Sequence, residues 1–194
     1  MVNTDGRRQR TEKSRERVLE AVIELVEETG EMPIAQQIAD RSGMSIRSVF
    51  RLYEDVNDLQ ASAVRLRVTQ LRGRYTVPDS AVPLDERLDE LVATWTEVHE
   101  SITPVRRVIV GLLDRSEPLR EQYFAGMRYL SDQLEVVFAP ELAELKPTDR
   151  QRRLAALDVA LSWETWHRLR STRALSTSEA RAVVRLSVDA LLGV

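Results

Sequence analysis

Apolar positions along this chain recur at spacings of three and four residues from Val18 to Leu191. That is the period of one face of an α-helix, and no stretch alternates with the period of two that a half-buried strand requires. The first stripe, Val18, Leu19, Val22, Leu25 and Val26, predicts a helix opened by Thr11 or Ser14 and ended by Gly30. Ile34, Ala35, Ile38 and Ala39 predict a short second helix, with Gln36, Gln37, Asp40 and Arg41 outside it. Gly43 breaks that helix, since a residue without Cβ enters a left-handed turn cheaply. Ser45 then caps another short helix from Ile46, which turns Val49 and Phe50 inward and leaves Arg47, Ser48 and Arg51 on the other side. Asp55 or Asn57 opens a long helix through Leu59, Ala63, Leu66 and Leu71, its other sides lined by Arg65, Arg67, Arg72 and Arg74 as a solvated face.

Residues 76–83 form the linker-like segment. Beyond it Leu84, Leu88, Leu91, Trp95, Val98 and Ile102 predict one helix, and Thr103-Pro104 predicts the cap and first turn of a short one through Leu113. Ser116 and Pro118 begin the next, with Leu119, Tyr123, Met127, Leu130, Leu134 and Val137. Pro140 and Pro147 bracket a break. Two capping boxes, Thr148-x-x-Gln151 and Ser176-x-x-Glu179, predict the last two helices, about 149–170 and 177–192. The expected fold class is therefore all-α: an N-terminal three-helix domain over 1–56, a connecting helix 57–75 and a helical bundle over 84–194.

Two short helices joined by a glycine turn are an ordinary αα-turn or a helix-turn-helix, whose second helix fits the DNA major groove. Arg47 stands near the start of that helix, and arginine can grip guanine O6 and N7 bidentately. Residues 14–59 resemble the DNA-binding domain of the TetR family of one-component regulators. The residues that carry this are Val18-Leu19-x-Ala21, Gly30, Ile38-Ala39, Gly43-Met44-Ser45, Val49-Phe50, Tyr53 and Leu59. The resemblance implies a transcriptional regulator, most simply a repressor, that binds a palindromic duplex operator as a homodimer and is released by a small-molecule effector. Its DNA contacts are expected from Gln36, Ser45, Arg47, Ser48, Arg51 and Tyr53. A basic N-terminal arm with Arg7, Arg8 and Arg10 would lie on phosphates or in a minor groove. Three positions depart from the family pattern: Ile34 replaces a usual Thr, Phe50 a usual Tyr and Val56 a usual Lys. All three family residues are phosphate anchors.

The last two helices are apolar on more than one side. Leu154, Leu157 and Leu161 share a face of the first, with Val183, Val188 and Leu191 on the second. Such helices are central to their own domain or shared with another subunit, and the resemblance favours a four-helix dimer interface built from these six residues. Trp95, His99, Tyr123, Met127 and Trp163 are large side chains with polar tips, which line either a ligand pocket or a core.

Composition narrows the alternatives. With 28 basic and 31 acidic residues the chain is no bulk polyanion binder, so a DNA contact must come from a local patch. No cysteine is present, which excludes disulfides and thiolate chemistry. The apolar runs are too short to span a bilayer and no apolar targeting segment opens the chain, so no membrane partner and a cytoplasmic location are expected. Glu164-x-x-His167 matches one half of a di-iron helix pair, but the other histidine, His99, has Thr96 three residues before it. Asp114, Asp158 and Glu164 serve equally as surface charges. No nucleotide or hydrolase motif appears, and neither enzyme activity, metal nor cofactor is expected. Two other functions fit the same pattern: a DNA-binding protein controlled by a protein partner, and a helical effector or enzyme that has kept the fold without DNA.

Overall fold

The computed structural model describes residues 4–194, the side chains of residues 4, 5, 7 and 72 excepted. All regular structure among them is helical. The chain divides into two compact units, one of residues up to Gln70 with Pro104–Phe124, the other of Leu71–Thr103 with Ala125–Val194. The segment 104–124 thus belongs with the N-terminal helices, not with the bundle expected over 84–194.

The first unit contains α1 (Thr4–Thr29), α2 (Ala35–Ser42), α3 (Ile46–Phe50) and most of α4 (Val56–Arg72). The predicted stripe of α1 is its buried face, with Val18, Ala21, Val22, Leu25 and Val26 nearly inaccessible. Gly30, at φ 69°, ends it by donating to the Val26 carbonyl at 2.8 Å. Its start lies well before Thr11 and Ser14, so the expected arm is the first turns of a helix. Arg10 Nε donates to the Gly6 carbonyl (3.0 Å) and Ser14 Oγ to the Arg10 carbonyl (2.9 Å), local bonds that follow helical spacing. Asp55 opens α4: its carboxylate accepts the Asp58 N–H at 2.8 Å, while Asp58 accepts from Glu54 N–H at 3.1 Å. Val105 and Ile109 are buried beside Val22, Val26, Ala63 and Val64 around an apolar void of about 20 Å³. Burial of that stripe is why 104–124 joins this unit.

The remaining helices are α5 (Leu84–Leu112), α6 (Glu117–Val137), α7 (Ala139–Leu142), α8 (Pro147–Leu161), α9 (Trp163–His167) and α10 (Thr177–Leu192). Three boundaries differ from expectation. α5 continues as helix past Pro104, and Thr103 Oγ1 donates to the His99 carbonyl (2.7 Å) instead of capping a new helix. The apolar stripe continues across the proline as Val98, Ile102, Val105 and Ile109, all buried, and that burial outweighs one lost backbone hydrogen bond. α8 starts at Pro147 without a side-chain cap, so the box at Thr148 is unused, whereas the Ser176–Glu179 box forms. The helix expected over 149–170 is interrupted at Ser162, whose extended backbone (ψ 155°) and hydroxyl cap α9 by accepting the Thr165 N–H at 3.1 Å. A wide π turn over Arg168–Thr172 follows.

The second unit's core joins Leu88, Leu91, Trp95, Val98 and Ile102 of α5 to Leu134, Phe138, Leu157, Trp166, Val184 and Val188. Arg87 is buried against it: it donates to the Val82 carbonyl at 2.7 Å, to the Val137 carbonyl and to the Glu141 carboxylate. A buried guanidinium satisfied in this way fixes the turn between α6 and α7.

Candidate nucleic-acid interface

α2 and α3 are set by backbone chemistry first. Ile34 has no oxygen with which to cap α2, but Gln37 Oε1 accepts the Ile34 N–H at 2.9 Å, one half of a capping box. Ile38, Ala39 and Ser42 are buried, and Gly43 (φ 67°, ψ 29°) turns the chain while Met44 N–H bonds the Ala39 carbonyl at 3.0 Å. Nothing lies within 4 Å of a Cβ placed on Gly43, so its left-handed backbone, not crowding, is what calls for glycine. Ser45 Oγ accepts the Ser48 N–H at 3.2 Å and shares a 2.9 Å bond with the Ser48 hydroxyl. Val49, fully buried, anchors α3 from behind.

At about 100° per residue, Ile46 and Phe50 form one outward strip of α3 and Arg47 and Arg51 the next. All four are exposed. Phe50 was expected inward, but on a helix of five residues Val49 alone faces the core. Neither arginine has a hydrogen bond or ion pair among the described residues. Two other cations of this unit are spent: Arg41 binds Glu24 (3.1 Å) and Glu28 (2.6 Å), holding the Glu28 carboxyl below its ordinary range, and Arg67 pairs with Glu27. The unneutralised charge of the two-helix motif is therefore on α3.

The other expected contacts fare unevenly. Gln36 Nε2 donates to Asp40 at 2.7 Å on the exposed side of α2. Ser45 and Ser48 serve the cap. Tyr53 is 4% exposed, its hydroxyl donating to the Arg15 carbonyl at 2.9 Å with the Arg15 guanidinium 5.0 Å over its ring. It pins α1 to the segment after α3, and burial pushes its hydroxyl pKa up to about 12. Arg8 and Arg10 are exposed on α1, and the side chain of Arg7 lies outside the described residues.

Of the candidate ligand residues, Tyr123 belongs to the first unit, where Arg106 stands 4.3 Å over its ring. Trp95, His99, Met127 and Trp163 belong to the second. There Trp95 Nε1 donates to the Thr76 carbonyl (3.2 Å) and Trp163 Nε1 to Thr103 (3.0 Å). His99 Nε2 lies 2.9 Å from the Leu161 carbonyl freed by the break at Ser162, and Nδ1 lies 3.1 Å from the Tyr75 hydroxyl. A carbonyl only accepts, so Nε2 carries a proton, and in the neutral ring Nδ1 accepts from Tyr75. Trp166, not singled out by its sequence context, is fully buried with its indole N–H unpartnered among the described residues.

The proposed interface residues divide as well. Leu157, Leu161 and Val188 are buried in the chain's own core, with Leu154 and Leu191 packed against it. The side chains left outward are Val159 (63% exposed) on α8 and Val183 (37%) and Leu186 (68%) on α10. Helical spacing explains the exchange, because the inward face of each helix is already packed into the second unit's core.

No family model and no curated protein matches the sequence. Solved structures match its fold. A transcriptional regulator from Rhodococcus sp. Rha1 aligns with a TM-score of 0.72 at 16% identity, over 92% of this chain and 96% of that one. A proposed TetR-family regulator from Mesorhizobium loti MAFF303099 gives 0.74 at 18% identity, over 95% and 97%. A proposed transcriptional regulator from Pseudomonas aeruginosa PAO1 gives 0.66 at 18%, over 94% and 91%. The all-α fold of this chain is the fold of these regulators.

Proposed function

We propose that the chain is a TetR-type transcriptional regulator, a repressor that binds a palindromic operator as a homodimer and is released by a small-molecule effector. One observation carries this reading: Arg47 and Arg51, exposed and unpaired among the described residues, stand on the outward face of a short helix that follows a glycine turn. Arginine so placed donates to guanine O6 and N7, and the exposed Arg8 and Arg10 add phosphate contacts. A two-fold dimer places its half-sites about 34–36 Å, or a multiple, apart. The outward apolar strip of Ala155 and Val159 on α8, with Val183 and Leu186 on α10, is the surface we assign to the dimer. The buried indole N–H of Trp166 is a donor that an effector's acceptor would satisfy. No catalytic residue is assigned, and such a protein works in the cytoplasm with the DNA it reads.

The test is selection of duplexes from a random library by the full chain. A palindromic sequence should be enriched, and Arg47→Ala should cost about 1–3 kcal/mol per half-site while relaxing preference at one base pair. Equal loss on selected and random DNA would reduce Arg47 to a phosphate contact. A second reading, a protein of this fold that binds a partner protein in place of DNA, is favoured by the exposed apolar Ile34, Phe50 and Val56 where the family anchors phosphate. Enrichment of no duplex would leave that second reading standing.

A further inference from the structure

We infer that Ile46 and Phe50 read thymine methyl groups in the major groove, as specificity determinants beside Arg47. The inference rests on the DNA-binding reading above and adds to it the kind of base the helix selects. Large apolar side chains exposed in 34–56 are Ile34, Ile46, Phe50 and Val56, and the two on α3 are 39% and 38% exposed. They stand one turn apart, on the strip next to Arg47 and Arg51. Loose packing does not explain them, because Val49 behind them is fully buried and Ser45 caps the helix.

Neither side chain has a group that can bond a phosphate or a base edge. The single apolar feature of the major-groove edge is the C5-methyl of thymine. The neighbouring strip decides the occupant. Two unpaired guanidiniums one turn apart suit a polyanion, whereas an apolar protein surface would desolvate them without compensation. α3 spans four residue steps of about 1.5 Å, comparable to two base-pair steps of about 3.4 Å. The contacted thymines should therefore lie within about two base pairs of the guanine held by Arg47. Ile34 and Val56, at the starts of α2 and α4, lie outside this assignment.

The experiment measures the full chain on its selected operator and on the same operator with deoxyuridine for thymine, which deletes only the methyls. Each contacted methyl should be worth about fourfold in affinity, that is, about 0.8 kcal/mol for one buried methyl(ene) group. More than tenfold should be lost across two half-sites. Ile46→Ala and Phe50→Ala should bind more weakly and respond less to deoxyuridine, each at its own thymines. Both positions are exposed, so the variants should keep the wild-type circular dichroism spectrum, and a different spectrum for both would overturn the assignment by making them structural. Equal affinity for thymine and uracil operators would overturn the inference and leave the DNA-binding reading intact. An undiminished deoxyuridine effect in both variants would move methyl recognition to other residues. Enrichment of no duplex at all would overturn both readings, in favour of a protein partner on this face.

Discussion

Tyr53 spends inside the protein a hydroxyl that its place after α3 had offered to DNA. Its bond to the Arg15 carbonyl joins residues 38 positions apart, so Tyr53→Phe should cost about 0.5–1.5 kcal/mol in urea unfolding. The effect carries a pH signature. Burial raises the hydroxyl pKa from its ordinary value of 10 to about 12, so the folded state holds its proton longer than the unfolded chain. Tyr53's contribution is complete below pH 10 and is lost as pH rises through 12. Between those values the wild type should lose stability relative to Tyr53→Phe, and parallel curves would show that the hydroxyl ionises as freely folded as unfolded.

At the scale of one element, α5 shows a local signal overruled by burial. Pro104 removes the N–H that would bond the Glu100 carbonyl, and a proline inside a helix is unfavourable by about 3 kcal/mol. Helix continues through it because Val105 and Ile109 keep their places in the apolar stripe. Pro104→Ala should then stabilise the fold by about 1–3 kcal/mol, once partial relaxation in the native helix is allowed for, and so raise the thermal midpoint. A fall in midpoint would mean that packing of the pyrrolidine ring outweighs the restored hydrogen bond. In α2 and α3 local and distant demands agree: Gly43 meets its left-handed turn and Ser45 its cap, so no burial has to override either.

For the whole molecule, the proposed dimer would cover the outward strip of α8 and α10. Val159→Glu with Leu186→Glu places charges on side chains that are 63% and 68% exposed. The variant should stay folded and become a monomer in light scattering, with operator affinity reduced because two reading heads no longer act together. A dimeric double variant would put the interface elsewhere. Leu161→Glu makes the contrast: that position lies in the chain's own core, so the charge should unfold the protein instead of splitting a dimer. In the proposed reading a small-molecule effector would act on the same equilibrium. Whatever factor it takes from operator affinity, operator must take from effector affinity, with a coupling of about 1–3 kcal/mol as the ordinary range. Paired titrations should give one factor in both directions, and unequal factors would exclude simple release.

The sequence by itself determined what is settled within a turn or two of chain. Helical periodicity, the left-handed Gly30 and Gly43, and the caps at Ser45 and Ser176 are met where the residues placed them. Each satisfies backbone groups three or four positions away, and those neighbours are known from order alone. The outward Arg47 was legible for the same reason. Only the tertiary structure decided which polar tips were already occupied. Tyr53 bonds Arg15, His99 bonds Tyr75 and the Leu161 carbonyl, and Arg87 bonds Glu141 across 54 residues. It likewise grouped 104–124 with the first helices, interrupted the chain at Ser162, and gave Leu157, Leu161 and Val188 to the internal core instead of an interface. Burial is a competition among residues far apart in order. A helical period shows that a face must be covered, but what covers it depends on which distant faces are brought within reach.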